Sequence, residues 1–281
     1  MKKTSSKQIL SEKNIIDKYF KRLNFKKLGT FNFDNDGAYI NVPKNYKTVV
    51  TTDTIVENVD FFSADPPESI AQKIFCVNLS DLSSMGSLQK FYTLNISISS
   101  KINSNWLKKF TNKLCKLQKK YKIYLLGGDI SKSKEISITA TFFGYAKLKN
   151  ILSQNKCQLG DDIWITGNLG NSYIGYRLLT NPNLKIDQEK IYSFKKDYLY
   201  PSPCMFGYVA SKFINSAIDV SDGLFGDLNK ILNQRYGAKI IKKSIPISNK
   251  LKKILLNNSS LVDLDEILGW GDDYELLFTA K

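Results

Sequence analysis

The chain has 281 residues, with 41 Lys and Arg against 26 Asp and Glu, a formal net charge of +15, no histidine and four cysteines. Its length allows one large or two medium domains, and a hydrophobic content of 42% excludes disorder throughout. The lack of histidine and of any Cys-x-x-Cys pair excludes the common zinc sites and His-dependent triads.

The positive charge is almost all lysine, since Arg22, Arg177 and Arg235 are the only arginines. Bidentate recognition of bases and phosphates favours Arg, so a nucleic-acid role is disfavoured. A diffuse positive field still attracts ATP and phosphate-bearing substrates. Cys76, Cys115, Cys157 and Cys204 are far apart and are expected as reduced, buried thiols. The basic start, Met1 to Ser6, leads into no continuous apolar core, and no stretch has the roughly eighteen apolar residues of a membrane span. The cytoplasm is the expected compartment.

Along the chain, Ile9, Ile16, Phe20 and Leu23 recur at helical spacing and predict an amphipathic helix over 7–23. β-branched residues from Thr48 to Val56 predict a buried strand that delivers Asp53 near its end. Pro66-Pro67-Glu68 starts a helix, with proline tolerated in the first turn, and that helix runs toward Cys76 and Val77. Phe91 to Ile98 reads as a strand, Trp106 to Leu117 as a helix, and Ile123 to Leu126 as a strand broken by Gly127-Gly128, where the backbone is free to approach a ligand. Ile136 to Tyr145 and Asp161 to Thr166 read as further strands. A polar, irregular stretch from Lys147 to Gly160 puts a domain boundary near Asn150, giving domains 1–149 and 150–281. Mixed strands and helices in both indicate an α+β (mixed α/β) protein.

Five segments set an aspartate beside small or hydroxyl residues: Thr51-Thr52-Asp53, Asn78-Leu79-Ser80-Asp81, Gly127-Gly128-Asp129, Asp219-Val220-Ser221-Asp222-Gly223 and Gly271-Asp272-Asp273-Tyr274-Glu275. Carboxylates after apolar, strand-like residues and before turns are placed to converge on a hard cation, and Asp with Thr or Ser hydroxyls supplies its oxygen ligands. The pattern reads as a magnesium-nucleotide site. For a single aspartate a turn or helix cap is the better account; for the set together, metal binding is. Gly167-Asn168-Leu169-Gly170-Asn171-Ser172 looks like a glycine turn ahead of a helix, but a structural turn explains it equally well and no ligand contact is assigned. Asp272 and Asp273 have a rival reading as caps of the turn before Tyr274 to Phe278.

In this order and over about Phe31 to Phe278, these segments resemble the thiamine-monophosphate kinase family of the aminoimidazole-ribonucleotide-synthetase-like ATP-binding superfamily. The resemblance implies an N-terminal domain whose strands pair across a homodimer into a barrel, and a C-terminal α+β domain. It implies ATP-dependent phosphorylation of thiamine monophosphate by direct in-line transfer, with several Mg²⁺ ions and no acid or base residue, because the acceptor phosphate oxygen is already anionic. Asp36, Thr51, Thr52, Asp53, Asp81, Asp129, Asp219 and Asp222 match the family's metal-binding positions. Gly128, Asp129, Gln154 and Ser221 match its ATP-contacting positions, and Asp60 and Asp272 its substrate-binding ones.

The chain departs from the family's pattern at several of these places. Asp34-Asn35-Asp36 carries an amide for one carboxylate, Asp60 stands for a histidine, Gln154 and Cys204 each stand for an arginine, and Asp272 stands for a glutamate. The family continues beyond the equivalent of Lys281, which implies either a truncated C-terminal domain or a chain that is part of a longer one. The rival functions are another ATP-dependent reaction of the superfamily and a catalytically impaired ATP-binding relative.

Overall fold

The computed structural model describes residues 11–27, 29–181, 184, 186, 188–257 and 262–281. A short helix α1 (Glu12–Ile15) is capped by the Ser11 hydroxyl, which accepts from Asn14 N, and passes into a π turn and a 3-10 turn that end at Asn24. The regular helix expected over 7–23 is therefore an irregular one over its described part, with its first residues outside the described set. Ile15, Tyr19, Phe20 and Leu23 still reach the core, because a tighter or looser turn shifts a side chain's bearing without exposing it.

The first layer is a sheet of β1 (Tyr46–Val56), β2 (Leu88–Ile98), β3 (Tyr124–Lys132) and β4 (Ser137–Lys147) in the order β1-β4-β2-β3. All neighbours pair antiparallel except β2 with β3, which are parallel and need the crossover helix α3 (Ser104–Tyr121) between them. The sheet is open, with β1 and β3 at its edges. Helices α2 (Pro67–Ser84) and α3 pack on one face over Tyr92, Leu94, Ile96, Ile138, Ala140 and Phe142. The other face carries Val50, Thr52, Thr54, Thr139, Thr141 and Phe143, in the alternation a half-covered sheet requires. Cross-strand hydroxyl pairs line it: Thr52 with Thr141 at 3.0 Å, Thr54 with Thr139 at 2.8 Å, and Ser97 with Ser131 at 2.9 Å.

Two local expectations change in the structure. The Asn78 to Asp81 segment does not follow a strand; it is the last part of α2, which runs through to Ser84. Nor do Gly127 and Gly128 end β3, which continues to Lys132 with a register shift opposite Tyr92 and Thr93. Gly128 is needed because a Cβ there would collide with the Leu94 carbonyl of the paired strand.

Beyond residue 150 lies a smaller sheet, β5 (Asp162–Ile165), β6 (Ser216–Asp219) and β7 (Leu276–Ala280), ordered β5-β7-β6 and antiparallel throughout. Around it are α4 (Asn171–Thr180), α5 (Gln188–Leu199), α6 (Phe206–Ala210), α7 (Leu224–Leu232), α8 (Asn249–Asn257) and α9 (Leu264–Gly269).

Helix α2 joins the two halves. Gln72 Nε2 donates to the Pro201 carbonyl at 2.6 Å and Ser83 Oγ donates to the Cys204 carbonyl at 2.6 Å. This double docking explains why α2 is buried nearly all round while carrying Gln72, Lys73, Asn78, Ser80, Ser83 and Ser84, polar groups that a helix with one solvent face would turn outward. Cys76 is buried, Cys115, Cys157 and Cys204 are partly so, and all four are free thiols. No helix among the described residues is long and apolar enough to cross a membrane.

Candidate active site

On the helix-covered side of β1, Thr51 and Asp53 point the same way by strand alternation, toward the C-terminal turns of α2. Thr51 Oγ1 donates to Asp81 Oδ2 at 2.5 Å. Asp81 lies beside Asp53, and both carboxyls titrate above their usual range, first through burial; for Asp53 the Asp81 charge adds to it. Asp219, at the end of β6, is pushed from 3.8 to about 7 by burial and then by the Asp81 charge, with a hydrogen bond from Ser80 opposing the shift. Strand β1, helix α2 and strand β6 thus bring Asp53, Asp81 and Asp219 into one electrostatic unit at the junction of the two halves.

That unit is short of positive charge. All three carboxyls are desolvated, and Asp53 and Asp219 are further repelled by the Asp81 charge, so each binds its proton more tightly than a free aspartate. All the available donors are hard oxygens, from three carboxylates and the Thr51 hydroxyl, and a divalent cation would relieve their repulsion. Their separations are not yet those of ligands, for among the described residues no three Asp, Glu, Cys or His side chains lie close enough to hold an ion.

The loop after β6 is built by a residue with no place in the sequence-based set. Asp227, in the first turn of α7 and fully buried, accepts hydrogen bonds from Ser221 N at 3.0 Å and Asp222 N at 2.9 Å, and pairs with Lys230 at 2.9 Å. A carboxylate in a helix's first turn is favoured there by the unsatisfied N–H groups; the spacing Gly223 to Asp227 was the available signal. Ser221 is held by its backbone in this loop. Asp222 faces outward, with its side chain 66% exposed and paired to Lys230 at 2.5 Å, and does not join Asp219.

The 271–275 loop closes on the same place. A Cβ at Gly271 would collide with the Ser221 carbonyl, and Asp272 N donates to that carbonyl at 3.1 Å. Asp273 takes the structural role: both its carboxylate oxygens accept from Gly170 N, at 3.0 and 2.9 Å, and Ser172 Oγ donates to it at 3.2 Å. It therefore caps α4, and the Gly167 to Ser172 turn receives the protein's own carboxylate. Burial pushes Asp273 up to about 7. Asp272 turns the other way, toward Lys73 and Tyr274, and Asp60 accepts Val56 N at 2.7 Å in the turn after β1.

The remaining sequence-derived positions lie apart from this cluster. Asp36, Gly128 and Asp129 line a separate cavity of about 540 Å³, walled by Ile16, Phe20, Phe33, Ile96 and Leu125, where the segment before β1 covers edge strand β3. Thr52 points to the open sheet face. Gln154 is exposed, and its carbonyl accepts from Ser216 Oγ at 2.6 Å. One copy of the chain thus brings together Thr51, Asp53, Asp81 and Asp219, and holds Asp36, Gly128 and Asp129 elsewhere.

Residues 34–146 match the family described as AIR synthase related protein, N-terminal domain. Over 276 residues the chain is 39% identical to the thiamine-monophosphate kinase of Buchnera aphidicola subsp. Acyrthosiphon pisum (strain APS), covering 96% of this chain and 83% of that one. The chain belongs to the thiamine-monophosphate kinase family. Its fold agrees with that of the Stenotrophomonas maltophilia K279a thiamine-monophosphate kinase, at a TM-score of 0.79 and 32% identity over 88% of this chain and 78% of that one. It is also similar to AaThiL complexed with AMPPCP and TMP, at a TM-score of 0.77 and 27% identity over 99% of this chain and 88% of that one.

Proposed function

We infer that the protein phosphorylates thiamine monophosphate to thiamine diphosphate with ATP. The observation that carries this reading is family membership across nearly the whole chain together with the convergence of Asp53, Asp81 and Asp219 at the junction of the halves. In the transfer, the bond between the γ-phosphorus and its bridging oxygen breaks, a new bond forms to an oxygen of the acceptor phosphate, and ADP leaves with the electron pair. The acceptor oxygen is already anionic, so a chain without histidine suffices.

Asp53, Asp81 and Asp219, with Thr51, would hold Mg²⁺, and Asp36, Asp129, Thr52 and Asp222 would complete the set of several ions. When bound, such ions neutralise charge between the two phosphate groups. Gly128 would let ATP approach the β3 backbone and Ser221 would offer its hydroxyl, with Gln154 nearby, and Asp60 and Asp272 would face the acceptor. The chain's own contribution is to exclude water around the buried carboxylates and to fix the two loops that meet at Gly271 and Ser221.

Homodimerisation would join the separated groups. Pairing edge strand β1 of each copy with edge strand β3 of the other would close both sheets into a barrel, remove the two unpaired edges of each copy, and bring the Asp129 cavity of one copy toward the Asp53 cluster of the other. This reading treats residues 1–149 as the nucleotide and dimerisation domain and 150–281 as the C-terminal domain, and puts the enzyme in the cytoplasm.

Mass spectrometry after incubation with ATP, Mg²⁺ and thiamine monophosphate tests the activity. Thiamine diphosphate and ADP in equal amounts are the expected products. Phosphorylation of a different acceptor would support another superfamily reaction, and ATP binding without turnover would support an impaired relative.

A further inference from the structure

Lys73 occupies an unusual position for a lysine. Its side chain is 9% exposed, on the face of α2 that meets the C-terminal half. The ammonium donates to the Asp60 carbonyl at 2.7 Å and to Asp272 Oδ2 at 3.0 Å, and lies 4.8 Å from the centre of the Tyr198 ring. A desolvated cation is tolerated only when its donors are satisfied, and here a carbonyl, a carboxylate and a ring face do so.

Asp272 is held just as closely. Its second oxygen, Oδ1, accepts from Tyr274 Oη at 2.6 Å, so both carboxylate oxygens are engaged. Asp272 and Tyr274 have φ of +62° and +52°, left-handed conformations that cost a non-glycine residue about 1–2 kcal/mol each. Asp tolerates this region better than most residues, and Asp272 N and Tyr274 N donate to the Ser221 and Val220 carbonyls at 3.1 and 2.9 Å; Lys73 and the Tyr274 hydroxyl add the side-chain contacts that fix the direction of the Asp272 carboxylate.

Beside this pair lies a row of aromatic rings, tilted at one contact and stacked at the next. Tyr198 lies 5.8 Å from Tyr176, and Tyr176 stacks on Trp270 at 4.5 Å, with Trp270 two residues before Asp272. A row of aromatic faces beside carboxylates has the chemistry to receive a flat, positively charged heteroaromatic ring, by stacking and by attraction of the cation to ring faces and carboxylate.

We propose that Lys73 is a positioning residue for the acceptor: from the buried side it clamps Asp272 and the turn carrying Asp60, and so presents Asp272 beside the Tyr198, Tyr176 and Trp270 rings to the cationic ring of the substrate. This rests on the thiamine-monophosphate reading above and adds a residue that fixes acceptor selection without contacting the nucleotide.

The test measures KM for thiamine monophosphate and for ATP separately in the wild type, Lys73→Met, Lys73→Arg, Asp272→Asn and Lys73→Met with Asp272→Asn. Lys73→Met should raise the acceptor KM about tenfold or more and leave the ATP KM within about twofold. Lys73→Arg, which keeps the charge and donors, should recover most of the loss. In the Asp272→Asn background the Lys73→Met effect should shrink by more than half, leaving only what passes through the Asp60 carbonyl, because residues acting through a shared contact are not additive. Equal changes in both KM values, a lower melting temperature with unchanged kinetics, or additive effects of the two substitutions would overturn the proposal. Calorimetry with thiamine monophosphate supports the same comparison if Lys73→Met turns over too slowly: wild-type binding that survives in a folded Lys73→Met variant also overturns it. A wild-type protein that neither binds nor phosphorylates thiamine monophosphate overturns the kinase reading itself, and this proposal with it.

Discussion

The two faces of the first sheet carry the same kinds of residue to different ends. On the helix-covered face, Asp53 is desolvated beside Asp81, whose carboxylate accepts from the Thr51 hydroxyl. On the open face, Asp129 is exposed on an edge strand and Thr52 bonds only to β4, at the Thr141 hydroxyl and the Ala140 carbonyl. The buried acids are thus held in place by the fold and destabilised by their own charge, whereas the open-face residues cost the fold little and need another surface to become a site. Stability and activity should therefore separate in opposite ways on the two faces.

The largest expected effect tests that separation. Asp53→Asn and Asp129→Asn should each lower phosphoryl transfer by orders of magnitude, since each removes ligand charge from the metal set. Their melting temperatures should differ: Asp53→Asn should melt at or above the wild type in metal-free buffer, because repulsion with Asp81 is gone, and Asp129→Asn should stay within about 0.5 kcal/mol of it, as exposed substitutions do. Near-parental activity of either variant across a Mg²⁺ titration would remove that residue from the site.

The open face carries the next effect. Sedimentation at micromolar concentration should give twice the chain mass, and Val50→Lys, on the exposed side of β1, should give a monomer of native secondary structure with little activity. A wild-type monomer with full activity would sever Asp129 from the cluster and break the comparison.

The covered face predicts a pH dependence. Asp219 binds its proton more tightly folded than unfolded, with a pKa of about 7 against 3.8. Stability from this group is therefore complete below the unfolded value and is lost as pH rises through the folded one. From about pH 5 to about pH 8 the metal-free wild type should lose roughly 5 °C of melting temperature relative to Asp219→Asn, and Mg²⁺ should restore it at the upper end. Parallel melting curves for the two proteins would show that Asp219 is not short of counter-charge. The smallest effect concerns Asp60, whose carboxylate accepts Val56 N. Asp60→His should improve acceptor affinity modestly, at a stability cost of about 1 kcal/mol from the lost hydrogen bond, with calorimetry as the measurement.

Much of the fold was legible because its elements advertise themselves locally. The Pro66-Pro67-Glu68 start and the period of Trp106 to Leu117 each became the expected helix, and the β-branched run at Thr48 to Val56 became a strand, though an edge strand with only Val49 and Ile55 buried rather than a buried one, since one face of the sheet is uncovered. Asn78 to Asp81 was misread because α2 is buried on both sides, so its sequence lacks the polar stripe that marks a surface helix. Asp227 and Lys73 escaped notice for a related reason: a buried charge looks like any surface charge until its partners, six residues or nearly two hundred residues away, are known.

The sequence by itself determined the chemistry available: hard oxygen donors in five spaced segments, no histidine, and glycines where two backbones must meet. Tertiary structure decided which aspartates act as a group. Strand alternation sends Asp53 to one face and Thr52 to the other, a helix cap occupies Asp273, a lysine turns Asp222 outward, and a second lysine holds Asp272. Local pattern sets which side of an element a residue occupies; the charge state and direction of a carboxylate depend on what packs against it from distant parts of the chain.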